Sequence, residues 1–220
     1  MAKTESRQSS TPGVLEAAQA KAQSRANSFM KSALTILGET GRTDFTVLEV
    51  VERSKTSLRA FYQHFATKDE LLLALIERIM AQATQQWREE TRELGGIEAL
   101  STLIDRISAP AVSSTQDSIN RGLTFYNDHL IETRPAEFAR VLQPLHALFS
   151  DILRRGIDDG TLRADVDVDT SAVILMQLVL GALRLRNLGT ELYGAPVDSS
   201  QIYQFAICGL AATPPRKNGL

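Results

Sequence analysis

The stretch Thr46 to Leu72, TVLEVVERSKTSLRAFYQHFATKDELL, announces three helix starts in close succession. Thr46 precedes the apolar stripe Val47, Val50 and Val51, and Glu49 three residues on completes a capping box. After a turn at Lys55-Thr56, Ser57 caps a third helix that runs to Phe65. Thr67 caps a fourth, and Asp69 and Glu70 in its first turn suit the positive end of the helix dipole. At roughly 100° per residue, Leu58, Phe61 and Phe65 gather on one side, Arg59 and Gln63 point nearly the opposite way, and Tyr62 lies on the flank. Two short helices with about three residues between them have the proportions of a helix-turn-helix. Arg and Gln on such an exposed face can bond guanine O6/N7 and adenine N6/N7. The plain alternative is a surface helix whose polar side meets only water.

Working outward, helical spacing continues in both directions. Phe29, Met30, Ala33, Ile36 and Leu37 share one face of a first helix that Gly41 stops. The fourth helix runs to about Glu93 and ends at Gly95-Gly96. Further helices are predicted over residues 97–107, 116–133, 135–158, 169–188 and 199–210. The alternation Ala164 to Asp169 is read as a loop ending in an N-cap Asp, because no pairing partner for a strand is evident. The fold class predicted is all-α, about nine helices. A flexible arm is read at residues 1–20, with Leu15 to Ala22 the alternative extension of the first helix, a helix-turn-helix domain at 21–80 with its motif at 46–65, and a second helical bundle at 81–213.

Composition narrows the functional classes. The chain has 220 residues, 43% hydrophobic and 23% charged, ordinary for a soluble globular protein. The longest uncharged run, Ser199 to Pro215, holds two Ser, two Gln and two Pro and is no membrane span. The first twenty residues lack the apolar stretch of a secretory signal, so the cytoplasm is expected. One cysteine, Cys208, rules out an internal disulfide, and His64, His129 and His146 show no metal-ligand spacing. No metal or cofactor is expected. Between Arg42 and Lys68 five basic residues face three acidic ones, a slight excess toward a polyanion partner. No glycine-rich phosphate loop and no Ser or Cys nucleophile motif is present, so no catalytic residues are assigned.

The stretch from Phe29 to Leu72 resembles the amino-terminal domain of the tetracycline-repressor (TetR) family of bacterial regulators. The resemblance is carried by Phe29, Ala33 and Leu37, then Glu39 and Gly41, Thr46-Val47, Val50-Val51 and Ser57. Its most specific part is the block Phe61-Tyr62-Gln63-His64-Phe65 followed by Lys68 and Glu70-Leu71. At the turn the family usually has Ala-Gly where this chain has Ser54-Lys55, which implies a strained or altered turn. The resemblance implies that Thr46 and Lys68 grip phosphates at helix starts and that Tyr62 and His64 touch the sugar-phosphate backbone. It places Ser57, Leu58, Arg59 and Gln63 where bases are read. Lys3 and Arg7 of the arm are within the part that could reach a neighbouring minor groove, the favoured alternative being a purely disordered tail.

Beyond residue 80 the reading rests on physics. Ala172 to Leu185 is apolar nearly all round, so it must be buried on every side, and Ile202, Phe205, Ala206 and Leu210 stripe the last helix. These last two helices are expected to form a four-helix homodimer interface. The dimer would bind a palindromic double-stranded DNA operator, with half-sites about 34 Å apart. A pocket among the middle helices would hold a small, lipophilic or acyl-type effector. Its candidate walls are Trp87, Leu123, Phe125, Tyr126, His129, Phe149, Met176 and Gln177. The function expected is a ligand-responsive transcriptional repressor. An architectural DNA-binding protein of the same fold, a helical enzyme and a helical adaptor are the other readings.

Overall fold

The computed structural model describes residues 11–190 and 194–212. Nine helices follow one another among them: α1 (Thr11–Thr40), α2 (Val47–Arg53), α3 (Leu58–Tyr62), α4 (Lys68–Thr91), α5 (Gly96–Ile107), α6 (Ser114–Thr133), α7 (Pro135–Asp158), α8 (Val168–Asn187) and α9 (Ser199–Leu210). Local chemistry sets most of these boundaries. The side chains of Thr46, Ser57, Thr67, Ser113, Asp167 and Asp198 each accept the amide three residues on, starting α2, α3, α4, α6, α8 and α9. Such a cap stabilises a helix by about 1 kcal/mol. Gly41 and Gly160 stop α1 and α7 in the left-handed region, at φ of 65° and 73°.

Four expectations need correction. Residues 11–20 are not arm but the first turns of α1, beyond the extension at Leu15 to Ala22 that the sequence allowed; residues 1–10, with Lys3 and Arg7, lie outside the described residues. The third helix, expected over 57–65, is helical only from Leu58 to Tyr62. Thr67 must be extended to cap α4 (φ −141°, ψ 166°), so the chain leaves the helix early. The amides of His64 and Phe65 both bond the Phe61 carbonyl, at 2.8 and 3.0 Å, and this turn still brings Phe65 inward. The alternation Ala164 to Asp169 forms no strand and ends in an N-cap Asp as read, but the cap is Asp167 and α8 begins at Val168; the backbone pairing nearby lies ahead of it. Leu162 pairs with Ala211 in an isolated antiparallel bridge, fixed by Arg163 N to Leu210 O at 2.9 Å. Finally, α8 is long and apolar enough to cross a membrane, yet only 22% of that window is buried in the single chain.

Two apolar cores form. The first joins α1 to α4 and continues into Ile119, Tyr126 and Leu130 of α6 and Val141 of α7. The second is built from α5, α7, α8 and α9 around Leu100, Leu145, Phe149 and Leu153. Glycines allow the closest helix crossings. A methyl on Gly96 would lie 2.1 Å from Gly156 Cα, so α5 and α7 meet backbone to backbone. Across that crossing, the Asp159 carboxylate accepts the Gly96 amide at 2.8 Å. The Arg155 guanidinium donates to the carbonyls of Thr91 and Leu94, closing the end of α4.

Candidate nucleic-acid interface

The turn between α2 and α3 is set by three short-range features. Thr46 accepts the Glu49 amide at 3.2 Å while Glu49 Oε2 accepts the Thr46 amide at 2.6 Å and its hydroxyl at 2.8 Å. The Thr46 amide first, and its hydroxyl second, hold the Glu49 carboxyl below its ordinary pKa. Arg53 pairs with Glu39 at 2.5 Å, tying α2 to α1. Lys55 takes φ 53°, the one non-glycine in the left-handed region among the described residues. This is the strained turn that replacing glycine implies.

Aromatic packing anchors α3 from below. The Phe61 ring is fully buried, 5.3 Å from Phe29 and 5.7 Å from Phe65 between centroids, and meets Phe29 edge to face at 74°. The opposite face is open. Ser57, Arg59 and Gln63 stand in solvent and Tyr62 on the flank is 57% exposed. Leu58, expected inward with Phe61 and Phe65, is 43% exposed at the first residue of α3, so only the two aromatic rings of that side are buried. Tyr62 is braced edge-on against Phe61 at 5.4 Å and 88°. The remaining predicted contacts are more constrained. His64 is half-buried against the Phe29 ring, centroids 6.0 Å apart. Lys68 Nζ donates to the Thr43 carbonyl at 2.9 Å and sits 5.6 Å from the Phe45 ring centroid. The Thr46 hydroxyl and amide are engaged by Glu49, so Thr46 offers fewer donors to an anion than its sequence position implies.

Residues 29–75 match the sequence profile of bacterial regulatory proteins, tetR family. They form a TetR-family helix-turn-helix domain. No curated protein sequence is significantly similar to the chain. Its fold is similar to solved structures of low identity. FadR from Bacillus subtilis in complex with stearoyl-CoA is 17% identical over 83% of this chain and 97% of that one, with a TM-score of 0.63. Reduced NemR from E. coli is 14% identical over 86% and 98%, TM-score 0.66. The ketosteroid transcriptional regulator KstR2 of Mycobacterium tuberculosis is 19% identical over 85% and 95%, TM-score 0.51.

Beyond the TetR-type domain the helices line two adjoining spaces that are open to solvent and share wall residues. An inner chamber of about 190 Å³ lies between α4, α6, α7 and α8, and a cleft of about 590 Å³ opens from α6, α7 and α8 to solvent. Ile131, Phe138, Leu142 and Gln177 line both. Of the wall residues expected from sequence, Met176 and Gln177 line the cleft. Phe149 is fully buried in the second core, and Tyr126 is buried in the first with its hydroxyl on Asp69. Leu123 packs half-buried on the first core and Trp87 on the second. His129 is exposed beside Tyr126, and Phe125 is 57% exposed in a groove between α6 and the loop after α1. The expectation therefore fails for most of α6. That helix carries several aromatic residues, and their rotation about its axis depends on the α1 crossing, which is no property of α6 alone. The unforeseen wall is Met80, Asn127, Phe138, Leu142, Leu180 and Arg184. The i, i+4 pairs Phe138/Leu142 and Leu180/Arg184 were a usable signal for it.

Proposed function

We propose that the chain is a homodimeric, ligand-responsive transcriptional regulator acting in the cytoplasm. Residues 21–80 would bind operator DNA, and residues 81–213 would dimerise and take a small effector. The observation that carries this reading is the division of α3. Phe61 is locked into an aromatic cluster while Arg59 and Gln63 opposite it and Tyr62 on the flank meet solvent. A rigid base beneath a row of Arg, Gln and Tyr is what major-groove readout requires.

Dimerisation is supported by α8 and α9. Ile174 is 59% and Phe205 74% exposed, and both line one groove between the two helices with Leu175, Leu178 and Ala206. A second copy covering this face by two-fold symmetry would finish the burial that the all-apolar α8 demands. Release by ligand is supported by the chamber and cleft, and by FadR of Bacillus subtilis, which holds stearoyl-CoA in a similar fold. A recess of this size among the helices favours a ligand-responsive role over a purely architectural one. Occupancy would favour one arrangement of the two DNA-binding domains over another, so the regulator would be a repressor freed from DNA.

The test is binding to the cognate operator, selected from random duplexes. Tyr62→Ala should weaken binding to all sequences, whereas Arg59→Ala should lose roughly 1–3 kcal/mol and relax choice at one base pair. Parent-like binding by both variants would remove α3 from the interface.

A further inference from the structure

Five basic residues lie between Arg42 and Lys68, and the fold engages three of them. Arg42 pairs with Asp44, Arg53 pairs with Glu39, and Lys68 Nζ donates to the Thr43 carbonyl. The other two, Lys55 and Arg59, are exposed, and neither charged head has a hydrogen-bond or ion-pair partner among the described residues. Glu52, exposed one helical turn before Lys55, meets it only through the backbone, its carbonyl accepting the Lys55 amide at 3.1 Å. Lys55 also occupies the left-handed region at φ 53°, which glycine adopts freely and a side chain resists. The turn is fastened on both sides of it. Ser54 Oγ and Thr56 Oγ1 share a hydrogen bond at 2.8 Å, and the Thr56 amide donates to the Val51 carbonyl at 2.9 Å. A strained cation is thus held in place, and no bond of its ammonium among the described residues offsets the strain.

The position of Lys55 points to a partner outside the chain. In a helix-turn-helix the first helix crosses the sugar-phosphate backbone while the start of the second enters the major groove. The turn between them therefore passes the groove edge. Lys55 stands two residues before Ser57, the cap of α3. Two residues span at most about 7 Å, and the groove is about 12 Å wide. An ammonium on a flexible four-carbon stem closes the remaining distance to a phosphate on that edge. We infer that Lys55 is a further DNA contact, holding a backbone phosphate beside the groove that α3 enters. In this arrangement Arg59 faces bases, and Lys55 supplies position and affinity without sequence information. The inference rests on the regulator reading for the DNA itself and adds a contact outside the residues assigned there.

The salt dependence of binding decides it. The full-length parent and its variants are titrated onto two duplexes of equal length, the selected operator and an unrelated sequence, from about 50 to 200 mM salt. Lys55→Gln removes the charge and keeps a side chain on the same backbone. It should weaken both complexes severalfold at the lower salt and leave the preference for the operator unchanged. The slope of log affinity against log salt should become shallower by about 0.9 per bound subunit. Lys55→Arg should keep the parent slope. Lys55→Gly should lose the same part of the slope while unfolding at a higher urea midpoint than the parent, so its weaker binding is no folding defect. A parent slope in Lys55→Gln would overturn the contact, even where Arg59→Ala shows that α3 meets DNA. A loss confined to the operator would overturn the phosphate as its target. Absence of binding to either duplex by the parent would overturn the regulator reading and the contact together.

Discussion

Tyr126 on α6 donates its hydroxyl hydrogen to the Asp69 carboxylate in the first turn of α4, at 2.9 Å. This bond joins the C-terminal helices to the helix that follows the helix-turn-helix. On the next residues of α6, Asn127 and Asp128 line the inner chamber. One helix thus faces the cavity on one side and the TetR-type domain on the other. Gly122 reinforces the contact: a methyl there would lie 2.9 Å from Leu37 Cδ2 and 3.1 Å from the Gly41 carbonyl. Burial first, and the Asp69 carboxylate second, push the Tyr126 phenol well above its ordinary pKa, so the donor stays protonated at neutral pH. Tyr126→Phe should lower the unfolding free energy by about 1 kcal/mol, measured by urea denaturation. A midpoint equal to the parent's would show that the bond carries no net stability.

The left-handed Lys55 turn gives a prediction of opposite sign. A side chain at φ 53° costs roughly 1–2 kcal/mol, and glycine relieves it at a smaller entropic loss. Lys55→Gly should therefore raise stability by about 0.5–1 kcal/mol in the same denaturation experiment. A loss of stability would mean that the Lys55 side chain makes a compensating contact.

Phe205 tests the assembly. It is 74% exposed in the single chain and sits on the face assigned to the second copy. Phe205→Glu should halve the mass measured by light scattering and abolish operator binding while leaving helical circular dichroism unchanged. A dimer that survives this change would put the interface elsewhere.

The crossing of α5 and α7 should tolerate no added atom. Gly96→Ala places a methyl 2.1 Å from Gly156 Cα and 2.4 Å from its nitrogen, so the backbones must separate. The expected loss is about 1–3 kcal/mol or more, read from the urea midpoint.

Beside that crossing, Asp159 gives the fold an acid limit. The Gly96 amide first, and the Thr161 hydroxyl second, hold its carboxyl below the ordinary value of 3.8. A carboxylate depressed in the folded state contributes its full stability above the unfolded pKa and loses it as pH falls through the folded one. Asp159→Asn should therefore be less stable than the parent at neutral pH, and the gap should narrow below about pH 4. A gap independent of pH would assign the loss to something other than the charge.

Much of this molecule was legible in order along the chain. Thr46, Ser57 and Thr67 cap where their hydroxyls predict, and Gly41 and Gly160 end their helices, because these signals act over three or four residues. The bounds of α7 and α9 followed from the same local chemistry. The aromatic block of α3 was legible for a related reason, since a helix of that spacing has one inward side. The cavity walls were not. Whether Tyr126 or Asn127 faces the chamber is a rotation of about 100° about α6, and that rotation is settled by Gly122 resting on Leu37 and Gly41.

By itself, then, the amino-acid order determined that the protein is a chain of helices and that a short one turns Arg59, Tyr62 and Gln63 to solvent. Caps, glycines and apolar periodicity need no distant neighbour. Only the tertiary structure decided which helix faces enclose empty space, that Lys68 and Thr46 are engaged within the fold, and that α8 keeps an uncovered apolar side. Those outcomes depend on how closely helices far apart in sequence approach, and the distance is fixed where a glycine lets two backbones touch.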